Sequence, residues 1–239
     1  MLAPADAEGR MQADDLSGLE TDGVAVLPGL LDADACARMA ALWDDPARFR
    51  KQVVMGAHGY GQGEYRYFAD PLPAAVAALR RALYPPLAQV TNRWAAALGR
   101  AERFPPDHAA YLARCHAAGQ RRPTPLLLRY GPGDYNRLHQ DLYGAEWFPV
   151  QLVILLSAPG RDFAGGEFVL TEQRARMQSR AEVVPLGQGD AAVFAVRERP
   201  IAQGRGGARG VARAVMRHGV SRVRSGGRMT LGVIFHDAA

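Results

Sequence analysis

Residues 124–141 read TPLLLRYGPGDYNRLHQD, and the character of the sequence changes within this stretch. A short apolar run is followed by the turn residues of GPGD, and then by a histidine and an aspartate two positions apart. Short apolar segments separated by turn residues continue from here to the end of the chain, a pattern that is typical of a β-sandwich or a barrel.

The C-terminal half therefore contains a series of predicted strands. They are PLLLRYG, FPVQLVILLS, GEFVLTE, AEVVPL, AAVFAVR, ARAVMRHGVSRV and RMTLGVIFHD. Turn residues in GPGD, APGRDFAGG, GQGD and SGG separate them, and GRGGARG at 204–210 is predicted to be a flexible loop. Strands at this spacing favour two packed sheets, of which the jelly roll is one class.

Residues before about 120 carry helical patterns instead. Helices are predicted in LDADACARMAALW, PLPAAVAALRRAL, LAQVTNRWAAALG and PPDHAAYLARCHAAG. Asp32 or Asp34 is placed to cap the first helix, Tyr84-Pro85-Pro86 to break the second from the third, and Asp107 and Gly119 to bound the fourth. The segment VVMGAHGYGQGEYRYFAD is predicted as a loop or a hairpin. We interpret residues 1–239 as one domain, with a helical N-terminal buttress at 1–120 and a β core at 121–239.

Composition and charge indicate a cytoplasmic protein of ordinary globular character. The chain has 239 residues, of which 48% are hydrophobic and 22% charged, and no apolar run is long enough to span a membrane. Its N-terminus lacks the basic and apolar regions of a signal peptide, and Cys36 and Cys115 lie in unrelated contexts without metal spacing. The net charge of +5 permits an anionic partner, but Lys51 is the only lysine, so the arginines also reflect a compositional bias.

His139 and Asp141 are the first two candidate metal ligands. In extended chain, residues two positions apart project from the same face, so an imidazole and a carboxylate can occupy adjacent corners of a coordination sphere. His218, in VMRHGVS, is the best candidate for the third ligand. Two histidines and one carboxylate leave positions open for a chelating acid and for O2, as in the facial triad of non-haem Fe(II) oxygenases.

Residues at matching spacings strengthen this interpretation. Arg228 follows His218 by ten positions, and Thr230 lies two further on, on the same face of a predicted strand. A buried guanidinium grips a carboxylate with two parallel hydrogen bonds, and a neighbouring hydroxyl adds a third. Tyr130, nine residues before His139, offers a further donor. A dicarboxylic cosubstrate needs such an anchor for the end that does not chelate the metal.

At this point the sequence resembles a known family. The elements that carry the resemblance are YGPGDYNRLHQD at 130–141, GGEFVL at 165–170, VVPLGQGDAAVF at 183–194, RHGV at 217–220 and RMTLG at 228–232. In this order they resemble the prolyl-4-hydroxylase-like branch of the 2-oxoglutarate/Fe(II)-dependent dioxygenase superfamily. The whole chain looks like an uncharacterised bacterial group of that superfamily, linked by resemblance to oxidative repair of nucleic acid.

The resemblance implies a fold, cofactors and residue roles. The fold would be mainly β with N-terminal helices (α+β), built on a double-stranded β-helix, or jelly-roll, core. His139, Asp141 and His218 would bind Fe(II), Arg228 would anchor 2-oxoglutarate, and Thr230 and Tyr130 would support it. The reaction would consume O2 and yield succinate and CO2, with ascorbate as an accessory for full activity. Demethylation of an N-methyl group would release formaldehyde.

The substrate is open at this stage. Alkylated nucleic acid is the leading hypothesis, and a protein side chain or a small metabolite is the alternative. AlkB-type demethylases carry an arginine six residues after the anchor, where this chain has Ile234. A non-catalytic cupin-like metal-binding or sensor protein is a further alternative, although such a protein has no use for Arg228 and Thr230. The candidate substrate contacts are His58, Tyr65 and Tyr143, with Tyr67 and Phe68 as aromatic neighbours; the oligomeric state is not indicated.

Overall fold

The computed structural model describes residues 16–203 and 210–239. The N-terminal segment, with its expected lack of a signal peptide, and the predicted loop at 204–210, apart from its last residue, therefore lie outside the described residues. No helix in the described part of the chain is both long enough and apolar enough to cross a bilayer.

The described elements comprise four α-helices and fifteen strands. The helices are α1 (Ser17–Thr21), α2 (Ala33–Ala41), α3 (Ala74–Ala97) and α4 (His108–Ala117). The strands are β1 (Val24–Leu27), β2 (Phe49–Val54), β3 (Gly61–Gln62), β4 (Glu64–Phe68), β5 (Leu126–Tyr130), β6 (Tyr135–His139), β7 (Val150–Leu155), β8 (Phe163–Gly165), β9 (Phe168–Arg174), β10 (Arg180–Val184), β11 (Ala191–Ala195), β12 (Glu198–Gln203), β13 (Gly210–Val220), β14 (Val223–Gly226) and β15 (Arg228–Val233).

Two antiparallel sheets form the core and confirm the predicted jelly roll. The major sheet has the order β1-β11-β7-β15-β5-β4-β2, and the minor sheet has the order β10-β9-β13-β6-β3, with β12 paired to β13. A small third sheet joins β8 and β14. The non-consecutive neighbours in both large sheets show that the chain crosses repeatedly between them, which brings residues distant in sequence into one interior.

Alternation along β15 separates two environments. Leu231 and Val233 belong to the large apolar core that the major sheet shares with the helices. Arg228 and Thr230 are 1% exposed and lie on the opposite face, the side that looks toward the minor sheet. The period-two pattern of RMTLGV therefore places its polar residues in the barrel interior and its apolar residues under the helices.

Helix α3 differs from the prediction because it runs unbroken through Pro85 and Pro86. Neither proline has an N–H to donate, and an internal proline costs a helix about 3 kcal/mol or more. Leu83, Tyr84 and Leu87 on this turn are fully buried, and burying each such side chain contributes about 1.5–3 kcal/mol. The predicted break at Tyr84-Pro85-Pro86 is therefore wrong, because tertiary burial offsets the local cost.

The N-terminal region is less helical than expected. Its strands β1, β2 and β4 extend the major sheet at both edges, so residues 1–120 contribute sheet as well as a helical buttress. The Gly-rich segment forms the hairpin that was one of its two predicted forms, with β2 paired to β4. The predicted caps are confirmed, since Asp32 accepts from Ala35 N and Asp107 from Ala110 N. In the C-terminal half all seven predicted strands form, whereas β6, β8, β12 and β14 were missed.

Candidate metal centre

A β-bulge positions the first histidine. His139, the last residue of β6, pairs with His218 of β13, whereas Asn136 pairs with Val220, so β6 carries one extra residue between the two pairs. A bulge of this kind re-aims side chains, and here it turns both Asn136 and His139 toward the interior. Gly219 lies opposite the bulge, where a Cβ atom would be 2.7 Å from the Asn136 carbonyl oxygen. The RHGV sequence therefore needs glycine at this position.

The three predicted metal ligands meet at one point. Among the described residues, His139, Asp141 and His218 form the only group of three or more His, Cys, Asp or Glu side chains with potential ligand atoms all within 4.8 Å of one another. His139 Nε2 is 3.4 Å from Asp141 Oδ1, and His218 Nε2 is 3.4 Å from Asp141 Oδ2. His139 Nδ1 donates to the Arg137 carbonyl oxygen at 2.7 Å, which leaves the Nε2 lone pair free for a metal. The donor set fits Fe(II).

Two neighbouring side chains hold the Asp141 carboxylate. Tyr143 donates its hydroxyl to Oδ1 at 2.7 Å, and Gln151 donates Nε2 to Oδ2 at 2.7 Å. Burial acts to raise the pKa of Asp141, but hydrogen bonds and charge from His139 and His218 hold that pKa well below its usual value. The carboxylate is therefore ionised and fixed in orientation, as a metal ligand requires.

Gln151 is a site residue that the sequence analysis missed. It lies on β7, paired with Phe194 of β11, and it is 6% exposed. Its amide Nε2 also lies 3.2 Å from His218 Nε2, so it touches two of the three candidate ligands. A polar residue within the apolar run VQLVIL was the available signal, because a buried amide in such a strand needs a specific partner.

Arg228 is a buried cation with free donors. Its Nε and Nη1 atoms have no hydrogen-bond partner among the described residues, although the side chain is 1% exposed. Burial lowers the pKa of the guanidinium to about 10, so it remains protonated at neutral pH. Gly166 makes room for it, since a Cβ atom there would lie 2.9 Å from Arg228 Cδ. This contact explains the second glycine of GGEFVL.

Tyr130 lies beside Arg228. It pairs directly with Arg228 across β5 and β15, and the guanidinium carbon lies 5.5 Å from the centre of its ring. Its hydroxyl is buried, and an interaction with the Asn136 side chain acts to lower its pKa. Burial raises the pKa of Tyr130 to about 12, while the charges of Arg228 and Asp141 act on it with opposite signs. Tyr130 therefore lies within electrostatic range of both groups.

An aromatic cavity opens beside the metal ligands. It has a volume of about 440 Å³ and is lined by His139, Asp141 and Gln151 together with the tyrosines Tyr60, Tyr65, Tyr67 and Tyr143. Tyr65 and Tyr143, two of the predicted substrate contacts, therefore lie at this cavity together with Tyr67. His58 does not line this cavity; it is exposed and stacks on Tyr60 with ring centres 5.3 Å apart. Phe68 is fully buried in the core beneath the helices.

Arg228 does not line the aromatic cavity. It borders a second cavity of about 260 Å³, together with Leu155, Gly166 and Phe168. Arg228 lies on the face of β15 that looks toward the minor sheet, and His218 lies on β13 of that sheet. The interior thus contains a metal-ligand group at one side and a cation with unpaired donors at the other.

The remaining histidines have structural roles. His108 hydrogen-bonds with the Phe235 carbonyl oxygen at 2.8 Å, and His116 pairs with Asp237 at 2.9 Å. His236 is fully buried, and its Nδ1 accepts a hydrogen bond from the Phe148 backbone N–H. Arg80 and Asp237 form a buried ion pair that fixes the same C-terminal segment. These groups lie outside the candidate metal centre.

A family model covers most of the chain. The Oxygenase-NA family, described as an oxygenase catalysing oxidative methylation of damaged DNA, matches residues 63–238. The uncharacterized protein Rv2227 of Mycobacterium tuberculosis strain H37Rv is 49% identical over 172 residues, which are 72% of this chain and 72% of that protein.

Solved structures share the fold at low sequence identity. A 2OG-Fe(II) oxygenase family oxidoreductase from Burkholderia pseudomallei aligns with a TM-score of 0.52 at 18% identity, covering 99% of this chain and 92% of that one. A Pseudomonas putida prolyl-4-hydroxylase aligns with a TM-score of 0.51 at 17% identity, covering 96% of this chain and all of that one. At these identities the likeness supports the fold assignment alone.

Proposed function

The chain belongs to the Oxygenase-NA family, and on that premise we propose that His139, Asp141 and His218 hold the iron of a 2-oxoglutarate-dependent dioxygenase whose substrate is a methylated base in damaged DNA. The family confirms the predicted oxygenase class. The jelly-roll fold and the His-Asp-His group support Fe(II), 2-oxoglutarate and O2 as its cofactors.

One observation carries the proposal: two complementary groups share the interior. The three ligands offer a divalent cation two imidazole nitrogens and a carboxylate. Arg228 offers an anion at least two free N–H donors in a buried setting, where a bidentate pair with a carboxylate is strong. A keto diacid satisfies both requirements, because one end chelates iron and the other is a carboxylate.

The chain's own residues have distinct tasks in this scheme. Arg228 would grip the distal carboxylate, and the hydroxyls of Thr230 and Tyr130 would support it. Tyr143 and Gln151 keep Asp141 oriented. When bound, iron and cosubstrate supply the oxidation of a C–H bond, which yields succinate and CO2 and, from an N-methyl group, formaldehyde. Burial of the interior keeps bulk water away from this chemistry.

The aromatic cavity supports a nucleobase as the inserted group. Tyr60, Tyr65, Tyr67 and Tyr143 line one cavity of about 440 Å³. Enzymes that modify a base take it out of the stack and hold it between aromatic side chains, each worth about 1–3 kcal/mol per base. Arg137, exposed at the rim, is suited to a backbone phosphate.

The test couples two products on defined substrates. Purified protein with Fe(II), 2-oxoglutarate and ascorbate is incubated with methylated single-stranded DNA, methylated RNA or peptide pools, and succinate and formaldehyde are measured. The proposal expects equal amounts of both products with DNA and none in the His218→Ala variant. Succinate coupling with peptides only would refute DNA as substrate and leave the oxygenase class intact, whereas no succinate under any condition would favour a non-catalytic metal-binding protein.

A further inference from the structure

An exposed aromatic pair lies at the rim of the aromatic cavity. Tyr60 lines the cavity but is 52% exposed, and His58 stacks on its ring with an angle of 21° between the two planes. Leu138, next to the candidate ligand His139, also lines the cavity and is 45% exposed. Apolar groups that cluster in water at the mouth of a cavity are typical of an interaction site. Because the proposed base occupies the cavity, this rim faces the part of the strand that stays outside.

Two arginines lie beside the aromatic pair and share one ring. Arg137 continues the ladder between β6 and β3, because its backbone N–H donates to the Tyr60 carbonyl oxygen at 2.8 Å. The guanidinium carbon of Arg137 lies 5.8 Å from the centre of the Tyr135 ring, and that of Arg222 lies 5.1 Å from the same centre. Arg222 also donates Nη1 to the Gly133 carbonyl oxygen at 2.9 Å. Packing on an aromatic ring restricts both guanidiniums, so these two charges are held near each other.

The positive charge of this arginine pair is not neutralised by the protein. No carboxylate oxygen in the described part of the chain lies within 4.0 Å of either guanidinium. Two acidic residues close by in the sequence have other partners, since Asp134 accepts from the Gly131 backbone N–H and Glu167 accepts from the Ser221 hydroxyl. Exposed cations of one sign attract anions, and a guanidinium forms charge-assisted hydrogen bonds with phosphate oxygens. The arginine pair therefore suits the phosphates of a nucleic-acid backbone.

We propose that this rim is a second nucleotide subsite, which binds a single-stranded segment of DNA beside the methylated base. The rim subsite consists of His58, Tyr60, Tyr135, Arg137, Leu138 and Arg222. The base next to the methylated one stacks on Tyr60, and Arg137 and Arg222 each bind a backbone phosphate. A single strand fits this surface because a base must be free of its neighbours to stack on a protein ring, and aromatic rings beside basic residues bind such strands. The inference rests on the proposed function, because it assumes that the methylated base occupies the cavity.

The experiment measures how salt weakens DNA binding. Protein loaded with Fe(II) and 2-oxoglutarate is titrated anaerobically into a labelled, methylated single-stranded oligonucleotide, and fluorescence anisotropy is followed at several salt concentrations. For single strands, the logarithm of the binding constant falls with the logarithm of salt concentration by about 0.7 per phosphate contact. Arg137→Gln and Arg222→Gln each remove one exposed charge from the rim subsite. Arg81→Gln is the matched control, because Arg81 is exposed on α3, the helix that packs on the other face of the major sheet.

We expect each rim arginine variant to reduce the steepness of this salt dependence by about 0.7, and the control to keep the wild-type value. Tyr60→Ala should weaken binding about tenfold without changing the salt dependence, because it removes a stacking ring and no charge.

The inference is overturned if both rim arginine variants keep the wild-type salt dependence, or if wild type binds the methylated strand more tightly in a duplex than alone. Formaldehyde release from the same oligonucleotide is measured in parallel with wild type. Release together with unchanged salt dependence in the variants removes the rim subsite and leaves the proposed function intact. Absence of release from methylated DNA refutes the proposed function itself, so the two failures are distinguishable.

Discussion

Replacing Arg228 with methionine should stabilise the protein in the absence of cosubstrate. Burial lowers the pKa of this guanidinium from its ordinary value to about 10. At 1.36 kcal/mol per pKa unit, this lowering corresponds to about 3 kcal/mol against the charged form in the folded state. Because the pKa is lower in the folded state than in the unfolded state, this cost is fully present below pH 10 and is relieved progressively as the pH rises above 10. Methionine keeps an unbranched apolar stem and removes the charge.

The expected result is measured by thermal unfolding with and without 2-oxoglutarate. Each kcal/mol corresponds to about 2–4 °C for a chain of this size, so Arg228→Met should unfold as much as about 6–12 °C above wild type. With Fe(II) present and 2-oxoglutarate at about a hundred times its Kd, wild type should gain about 2.7 kcal/mol, whereas the variant should not respond at that concentration. Calorimetry should show iron still bound.

Arg199 provides the matched control for this substitution. It is equally buried at 1% exposure, but its guanidinium donates to Glu172 and to the carbonyl oxygens of Glu20 and Thr21. Removing one partner of a buried ion pair costs about 3–5 kcal/mol, so Arg199→Met should unfold at a lower temperature than wild type. The reasoning is refuted if Arg228→Met is as destabilising as Arg199→Met, or if it binds 2-oxoglutarate as tightly as wild type.

Three further outcomes follow from the geometry of the site. Tyr143→Phe removes the hydroxyl donor to Asp141 Oδ1 and should weaken iron binding about tenfold in a calorimetric titration. Unchanged affinity for iron would show that this hydrogen bond does not orient Asp141. Gly219→Ala places a methyl group 2.7 Å from the Asn136 carbonyl oxygen, so it should lower the free energy of unfolding by about 1–3 kcal/mol and weaken iron binding. Wild-type values in both denaturant unfolding and calorimetry would contradict the role of the bulge. Tyr65→Ala should weaken binding of methylated single-stranded DNA by about 1–3 kcal/mol in fluorescence anisotropy while 2-oxoglutarate affinity stays constant, and an equal loss of both would point to a general structural defect.

The part of the candidate site that could be predicted is the part indicated by residue types and their spacing in the sequence. His139 and Asp141 stand two positions apart, and His218, Arg228 and Thr230 follow on predicted strands, so their residue types and order indicated one centre before any geometry was known. The structure brings the three candidate ligands within 4.8 Å of one another and buries Arg228 with unpaired donors. Their roles in binding iron and 2-oxoglutarate remain predictions for the experiments above.

The features that escaped prediction depend on contacts between distant strands. In the sequence, Gln151 is an isolated polar residue within the apolar strand β7. Only the fold places Asp141 and His218 beside its amide. The bulge in β6 arises from pairing with β13, about eighty residues later, and no local signal in DYNRLH distinguishes it from a turn. Pro85 and Pro86 stay inside α3 because burial against the sheet outweighs their local preference. Local sequence patterns do not indicate such contacts between residues that are distant in the chain.

The most direct test of the central claim is an anaerobic calorimetric titration of the wild-type chain with Fe(II), followed by 2-oxoglutarate. A centre formed by His139, Asp141 and His218 opposite Arg228 should bind one Fe(II) per chain and accept 2-oxoglutarate tightly only afterwards, and His218→Ala should lose both events. Iron retained at full stoichiometry by His218→Ala, or 2-oxoglutarate bound equally well without metal, would contradict the account.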